Sequence, residues 1–231
     1  MKNIVFITGA GVSAESGIKT FRDADGLWEN YPVMQVASHT GFVNDPELVH
    51  QFYNMRRKDL LTREPNLAHK LIAGLEKNFN VSVITQNVDN LHEKAGSTNV
   101  LHLHGELMKV RAMDNENLTF TLSPQNCETT PETLIQGHHV RPHIVFFEEP
   151  VPMIEPAIEI VSQADIVIII GTSLNVYPAA GLISFAPKKA KIYYIDPNPA
   201  PVPPSVTVIS QPATVGMQLL ADSLNQQTST N

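Results

Sequence analysis

Apolar positions along the chain fall into two kinds of run, some nearly continuous and others spaced at helical intervals. Seven short runs predict buried strands: Asn3–Thr8, Val81–Thr85, Val100–His104, Ile144–Phe147, Asp165–Ile170, Lys191–Ile195 and Ser205–Ile209. Several are almost uninterrupted, IVIII at 166–170 above all, as in parallel strands covered on both faces. Helical candidates lie between them at Pro65–Lys77, Asn87–Ala95, Pro156–Gln163, Ala179–Phe185 and Ala213–Leu224. Strand–helix alternation predicts an α/β fold with a doubly wound, mostly parallel, Rossmann-like sheet.

Two stretches break that rhythm. Residues 24–61 hold no good strand but carry a helical pattern, PELVHQFYNMRRKDLL, with Leu48, Phe52 and Met55 on one stripe. Residues 106–143 read as polar and irregular, rich in Asn, Thr, Glu and Pro. Both are expected to be insertions that form a smaller lobe over the sheet. The sheet domain then comprises 1–23, 62–105 and 144–225, the lobe 24–61 and 106–143, and 226–231 a flexible tail. Ligands in open α/β sheets bind beyond the carboxyl ends of the strands, so a cleft between sheet and lobe is expected.

Composition narrows the function classes. The net charge of −7 argues against nucleic acid, whose phosphates need a basic face; it is compatible with basic substrates and equally with simple solubility. No apolar run approaches membrane-spanning length, and MKNIVFITGA reads as a first strand entering a glycine turn rather than a signal peptide. A single cysteine, Cys127, excludes an intramolecular disulfide and a cysteine metal cage, and suggests a reducing cytoplasm.

The first turn reads G-x-G-x-x-A through Gly9, Gly11 and Ala14, directly after the NIVFIT run. A strand–turn–helix of this kind suits a pyrophosphate, because small residues admit the ligand and a helix start offers free N–H groups. The acidic residue that usually follows about 20 positions later, on the ribose, is missing; Trp28 to Tyr31 occupy that distance. Asp196, closing KIYYI, is the better candidate, with an ordinary Asp-Pro turn as the competing reading. GTS, Gly171 to Ser173, likewise ends a strand where hydroxyls meet phosphate or ribose.

LHLHG alternates, so His102 and His104 face one way and Leu101 and Leu103 the other. His104, nearer the strand's end, is the better general base. TQNVDN ends another strand in short polar groups; Asn87 and Asp89 either cap the next helix or bind an amide-bearing ring.

GAGVSAESGIKTFRD, TQNVDNLH, LHG and GTSLNVYPAA, in this order and at these separations, resemble the signature of sirtuins, the NAD-dependent protein lysine deacylases. The match spans Ile4 to Ala180 and continues more loosely beyond. The resemblance implies that NAD is consumed as a co-substrate. The acyl oxygen of a modified lysine attacks the nicotinamide ribose, nicotinamide leaves, His104 acts as base toward the ribose hydroxyls, and the acyl group departs on ADP-ribose. It implies further that Ala10, Ala14, Phe21 and Arg22 line the pyrophosphate and ribose side. Gln86, Asn87 and Asp89 then serve the ribose and nicotinamide pocket, with Asn87 catalytic beside His104. Gly171, Thr172 and Ser173 lie beneath the adenosine half, and Asp196 stands where the family usually has Asn.

Tyr53 and Arg56 are three apart on the predicted helix and share a face. A phenol beside a guanidinium makes a carboxylate receptor, and this Tyr-x-x-Arg pair resembles that of sirtuins which remove succinyl and malonyl groups. A merely solvated face carrying Arg56, Arg57 and Lys58 is the plainer alternative. Two departures from the family stand out. The usual four zinc cysteines are missing, with KVRAMDNEN and Ala112 near the first, so no structural zinc is expected; Cys127 with His138 and His139 lacks cage spacing. The family's Phe-Gly-Glu is Phe147-Glu148-Glu149, a side chain that would narrow substrate access. The partner expected is acylated lysine in protein, with neither nucleic acid nor membrane. The competing functions are ADP-ribosyl transfer on the same scaffold, a non-catalytic NAD or ADP-ribose binding module, and a metal hydrolase built on His102 and His104.

Overall fold

The run Ile166–Ile170 lies inside a six-stranded parallel sheet, and none of its side chains exceeds 4 % exposure. The computed structural model describes residues 1–19, 27–28, 30–174 and 177–229. Along the chain, β1 (Asn3–Thr8) is followed by β2 (Leu27–Trp28), β3 (Tyr31–Pro32), α1 (Val33–Val36), α2 (His39–Asn44) and α3 (Pro46–Leu60). Next come α4 (Leu67–Gly74), β4 (Asn80–Thr85), α5 (Leu91–Lys94), β5 (Val100–His102), β6 (Gly105–Ala112) and β7 (Thr119–Thr121). The remainder is β8 (Leu134–Ile135), β9 (His138–Ile144), α6 (Ile154–Ser162), β10 (Ile166–Ile170), β11 (Lys191–Ile195), β12 (Val206–Ile209) and α7 (Ala213–Ser229).

The sheet order is β12-β11-β10-β1-β4-β5, every neighbour parallel. Alternation along β1 divides the core in two. Ile4 and Phe6 pack on one side with Ile72 of α4 and Met217 and Leu220 of α7. Val5 and Ile7 pack on the other with Ala157 and Val161 of α6 and with Leu182. Burying a side chain of this size stabilises by about 1.5–3 kcal/mol, so both faces are strongly held.

Several expected elements change. Residues 106–143, expected to be irregular, build a four-stranded antiparallel sheet ordered β7-β6-β9-β8. The strand expected at 144–147 is instead the end of β9, and Phe147 makes only an isolated bridge to Ser38. Residues 24–61 contain the short β2–β3 pair. On α3 the inward stripe is Val49, Phe52, Tyr53 and Leu60, while Met55 is 40 % exposed. The buried face is therefore turned from the one expected, because Tyr53 and the inward-facing Arg57 lie on it. The segment 179–185 is a 3₁₀ helix, and α7 runs on through 226–229 where a tail was expected.

A second core joins the helical and stranded parts of the lobe. Phe42, Val49, Phe52, Tyr53, Leu107, Ile144 and Phe146 belong to it. Arg57 is wholly buried there and cross-links three segments. Its Nε donates to Leu107 O at 2.8 Å, and Nη1 donates to Asn54 Oδ1 at 2.8 Å, Cys127 O at 3.2 Å and Thr129 Oγ1 at 3.2 Å. Beside it, Glu149 bridges Arg141 at 2.6 Å and Arg111 at 3.2 Å, while Arg141 lies over the Phe146 ring at 4.1 Å.

Candidate active site

β1 and β10 are neighbours, yet the chain leaves β1 for β4 on one side and β10 for β11 on the other. That reversal makes a crevice beyond their carboxyl ends. Gly9 and Gly11 follow β1, and Gly171 follows β10. Gly9 N–H donates to Ile170 O at 3.0 Å and Gly11 N–H to Gly171 O at 2.8 Å. A Cβ on Gly11 would stand 2.5 Å from Gly171 Cα, and one on Gly171 only 2.4 Å from Val12 N. The glycines let two loop tips close on each other at the crevice floor. Gly171 also sits at φ +62. Gly171→Ala is expected to destabilise by about 2–3 kcal/mol, from the left-handed backbone and the overlap together. An unchanged urea midpoint would show that the loops part freely.

The turn differs from the strand–turn–helix expected. Two 3₁₀ turns, Ala10–Val12 and Ala14–Ser16, replace the α-helix, and Gly17 at φ +82 ends them. Ala10 is half-buried and Ala14 exposed. Phe21 and Arg22 lie outside the described residues.

Between the turns Ser13 points inward, fully buried, and becomes the hub of a cluster. Its hydroxyl donates to Asp89 Oδ2 at 3.0 Å and accepts from Asn87 Nδ2 at 3.2 Å. His69 Nε2 lies 3.4 Å from the same oxygen, and the His69 and His92 rings meet edge-on at 4.8 Å. Burial pushes Asp89 up and His69 down to about 4, so the cluster favours low charge. Asp89 Oδ1 also accepts Leu91 N–H at 3.1 Å, which is the capping role weighed above; Asn87 caps nothing. The helix expected from Asn87 begins only at Leu91, because residues 87–89 turn into this cluster. Ser13, His69 and His92 were not anticipated. The signal available was a hydroxyl inside the glycine turn, four residues after Gly9.

β5 ends at His102, two residues sooner than expected, but the alternation persists. Leu101 and Leu103 pack into the sheet core. His102 Nδ1 donates to Asn87 O at 2.9 Å, and His104 Nδ1 to Gln86 O at 3.0 Å. A carbonyl oxygen only accepts, so the His104 proton sits on Nδ1. Nε2 keeps its lone pair and has no hydrogen-bond partner among the described residues. Burial lowers the His104 pKa, against the opposing pull of the Gln86 carbonyl. A neutral imidazole with one free basic nitrogen results. Both His102 nitrogens are engaged, since Nε2 is 2.7 Å from Glu93 Oε1, which leaves no histidine pair for a metal hydrolase.

Across the crevice Gln86 Nε2 donates to Thr172 Oγ1 at 3.1 Å, and Tyr194 Oη donates to Thr172 O at 2.7 Å. Ser173 is half-buried beside them. Asp196 closes β11, 1 % exposed, and accepts Asn198 N–H at 2.9 Å, so its turn-forming role is present.

Tyr53 and Arg56 do share α3, and Tyr53 is no solvated residue. Its hydroxyl is buried without a hydrogen-bond partner among the described residues, and burial raises its pKa, keeping the phenol protonated. The Arg56 guanidinium lies over the Trp28 ring at 4.6 Å and acts electrostatically on Tyr53. Tyr53 and Phe146 rings stand 5.9 Å apart. Val145, next to Phe146, donates its N–H to His104 O at 3.0 Å. Tyr53 is thus connected to the His104 bend through two adjacent residues. Of the alternative solvated face, only Lys58 is exposed and paired outward, with Glu128 at 2.7 Å.

Among the described residues no group of three His, Cys, Asp or Glu side chains could hold a metal. His138 instead bonds Asp114 at 2.9 Å and His139 bonds Pro131 O at 3.2 Å. Among them too, no helix is long and apolar enough to cross a membrane. Glu148 takes the conformation that glycine favours, φ +76, and its carboxylate accepts Thr40 N–H at 2.9 Å at the start of α2.

Comparison with known proteins gives this geometry a family. The Sir2 family model matches residues 9–178. An NAD-dependent protein deacylase of Bacteroides thetaiotaomicron is 58 % identical over 203 residues, covering 86 % of this chain and 87 % of that protein. One from Helicobacter pylori is 50 % identical over 231 residues, covering 99 % and 100 %. A crystal structure of a Sir2 homologue–NAD complex superposes with a TM-score of 0.87 at 37 % identity, covering 98 % of this chain and 91 % of that one. The chain belongs to the Sir2 family of sirtuins.

Proposed function

We propose that this sirtuin removes acyl groups from protein lysines at the expense of NAD, with a preference for succinyl and malonyl over acetyl. The observation that carries the deacylase reading is the free Nε2 of a neutral His104, fixed by its Nδ1–H on Gln86 O directly after β4. The residues present fit NAD: polar groups from the ends of β1, β4, β10 and β11 converge at one topological reversal. NAD supplies the ribose carbon that takes the acyl oxygen, the nicotinamide that leaves, and the hydroxyls that carry the acyl group away.

The chain's own groups divide the remaining work. His104 Nε2 would accept a proton from a ribose hydroxyl of bound NAD, and Nδ1–H on Gln86 O fixes the ring orientation. Asn87 and Asp89 bind the nicotinamide end, oriented through Ser13 Oγ. Gln86, Thr172 and Ser173 orient the ribose and adenosine half, with Asp196 on ribose hydroxyls. Gly9, Ala10, Gly11 and Ala14 leave room for pyrophosphate, with Phe21 and Arg22 assigned to that side by family likeness.

The acyl preference is supported by the orphaned Tyr53 hydroxyl. A buried donor without a partner costs about 1–3 kcal/mol, and a carboxylate-ended acyl chain offers Tyr53 Oη an acceptor and Arg56 a counter-charge. Tyr53→Phe combined with Arg56→Met is expected to cut desuccinylation by about 3 kcal/mol, roughly 10²-fold in kcat/KM, and deacetylation far less. Equal loss of both activities would remove the selective role. A single cysteine and this chemistry together favour a reducing cytoplasm as its place of action.

The test is incubation with NAD and matched acetyl- and succinyl-lysine peptides, followed by product masses. Acyl-ADP-ribose and free lysine are expected, the succinyl peptide reacting faster. ADP-ribose attached to protein, or binding of NAD without turnover, would replace the reading.

A further inference from the structure

His102 and His104 grip successive carbonyls of the loop after β4, yet their outer nitrogens meet different surroundings. His104 Nε2 has no partner among the described residues, whereas His102 Nε2 lies 2.7 Å from Glu93 Oε1. Its other nitrogen lies 2.9 Å from Asn87 O. Carbonyl and carboxylate oxygens both accept, so satisfying the two contacts takes an N–H on each nitrogen. The two contacts together call for an imidazolium. Its bond to the carboxylate is short, as charge-assisted bonds are.

We propose that His102, as an imidazolium paired with Glu93, is a positioning residue that locks the Asn87–Asp89 turn in its working place. It reaches the site only through the Asn87 backbone carbonyl and hydrogen-bonds no side chain assigned to the reaction above. The Asn87 carbonyl it holds belongs to the residue whose amide donates to Ser13, so a shift of that carbonyl moves the Ser13–Asn87–Asp89 cluster. Its kinetic consequence rests on the deacylase reading; its protonation does not.

Every charged group facing His102 bears on that protonation. Glu93 stands on α5, Glu106 on β6 and Asp89 in the turn itself, while Lys109 pairs with Glu106 at 2.6 Å and His92 is held neutral by burial. Burial opposes the second proton on His102, but the Glu93 hydrogen bond and charge outweigh it and raise the pKa above 6.5. Glu93 is lowered: burial resists, and the His102 bond prevails. A group raised on folding stabilises fully below its unfolded pKa and loses that contribution as pH climbs through the folded value. The clamp therefore weakens on the alkaline side, while His104, lowered by burial, limits activity on the acid side.

Two measurements test this on the whole enzyme. Two-bond ¹H–¹⁵N spectra at pH 7 are expected to show both His102 nitrogens protonated, with the signal assigned by its loss in His102→Asn or its shift in Glu93→Gln. One unprotonated nitrogen at pH 7 would overturn the proposal, whether or not the enzyme is active. In kinetics, Glu93→Gln should move the alkaline limb of kcat down by about 1–2 pH units. It should lower kcat about tenfold at pH 8, with peptide KM within about twofold. An unmoved alkaline limb would reduce Glu93 and His102 to packing. Absence of turnover in the unaltered enzyme would sink the deacylase reading alone, the spectra still deciding the clamp.

Discussion

His104→Ala is expected to lower deacylation by about 10³-fold, some 4 kcal/mol of barrier, while NAD binding changes little. The ring donates Nδ1–H to Gln86 O at 3.0 Å, which leaves its other nitrogen the one able to accept a proton. Burial lowers its pKa, which favours the basic form at neutral pH. Alanine removes that acceptor, and water is a poor substitute in proton transfer. Leu103, the adjacent side chain that packs into the sheet core, is untouched, so the fold should hold. Single-turnover acyl transfer at saturating NAD is the measurement. A variant keeping a tenth of the activity would mean that another group takes the proton, and Asp89, raised by burial, would be the first to test.

How the site reads in the chain depends on how local the responsible physics is. Strands such as Ile166–Ile170 were legible because burial on both faces leaves a continuous apolar run, a signal held within five residues. The sheet of 105–144 was hidden for the opposite reason. Its strands are interrupted by a register shift between Gly105 and Val110 and by Pro142, so period-two alternation never accumulates. The GAGVSAES segment announced a tight glycine turn after β1 but not its 3₁₀ form, which Gly17 at φ +82 ends. His104 and Asn87 could be picked out individually. Ser13 could not, because its importance lies in meeting Asn87 and Asp89 from more than 70 positions away. Arg57 looked like one cation in a solvated row, and only tertiary packing shows it wholly buried.

Arg57→Met is expected to cost about 2–5 kcal/mol, the sum of the buried acceptors it strands at about 1–3 kcal/mol each. The lobe has one cysteine and, among the described residues, no cluster of metal donors, so helix α3, β6 and the 127–129 segment need another cross-link. Arg57 provides it with four contacts from three N–H groups, two hydrogens of Nη1 being shared among three acceptors; none goes to a carboxylate, so its partners are neutral. Methionine fills much the same volume, so the loss comes from stranding Leu107 O and Cys127 O in the interior rather than from a cavity, while Thr129 Oγ1 keeps His50 Nδ1 at 2.9 Å. Burial lowers the guanidinium to about 10, still protonated at neutral pH, so its bonds are charge-assisted. Lysine should recover only part of the loss, because a point charge cannot reach Leu107 O and Cys127 O with a fork. Urea unfolding of Arg57→Met and Arg57→Lys beside the unaltered protein measures the difference, with chelator present and absent. Chelator should leave all three midpoints unchanged. A cost below about 1 kcal/mol for Arg57→Met would mean that the Phe42, Phe52 and Phe146 core holds the lobe unaided.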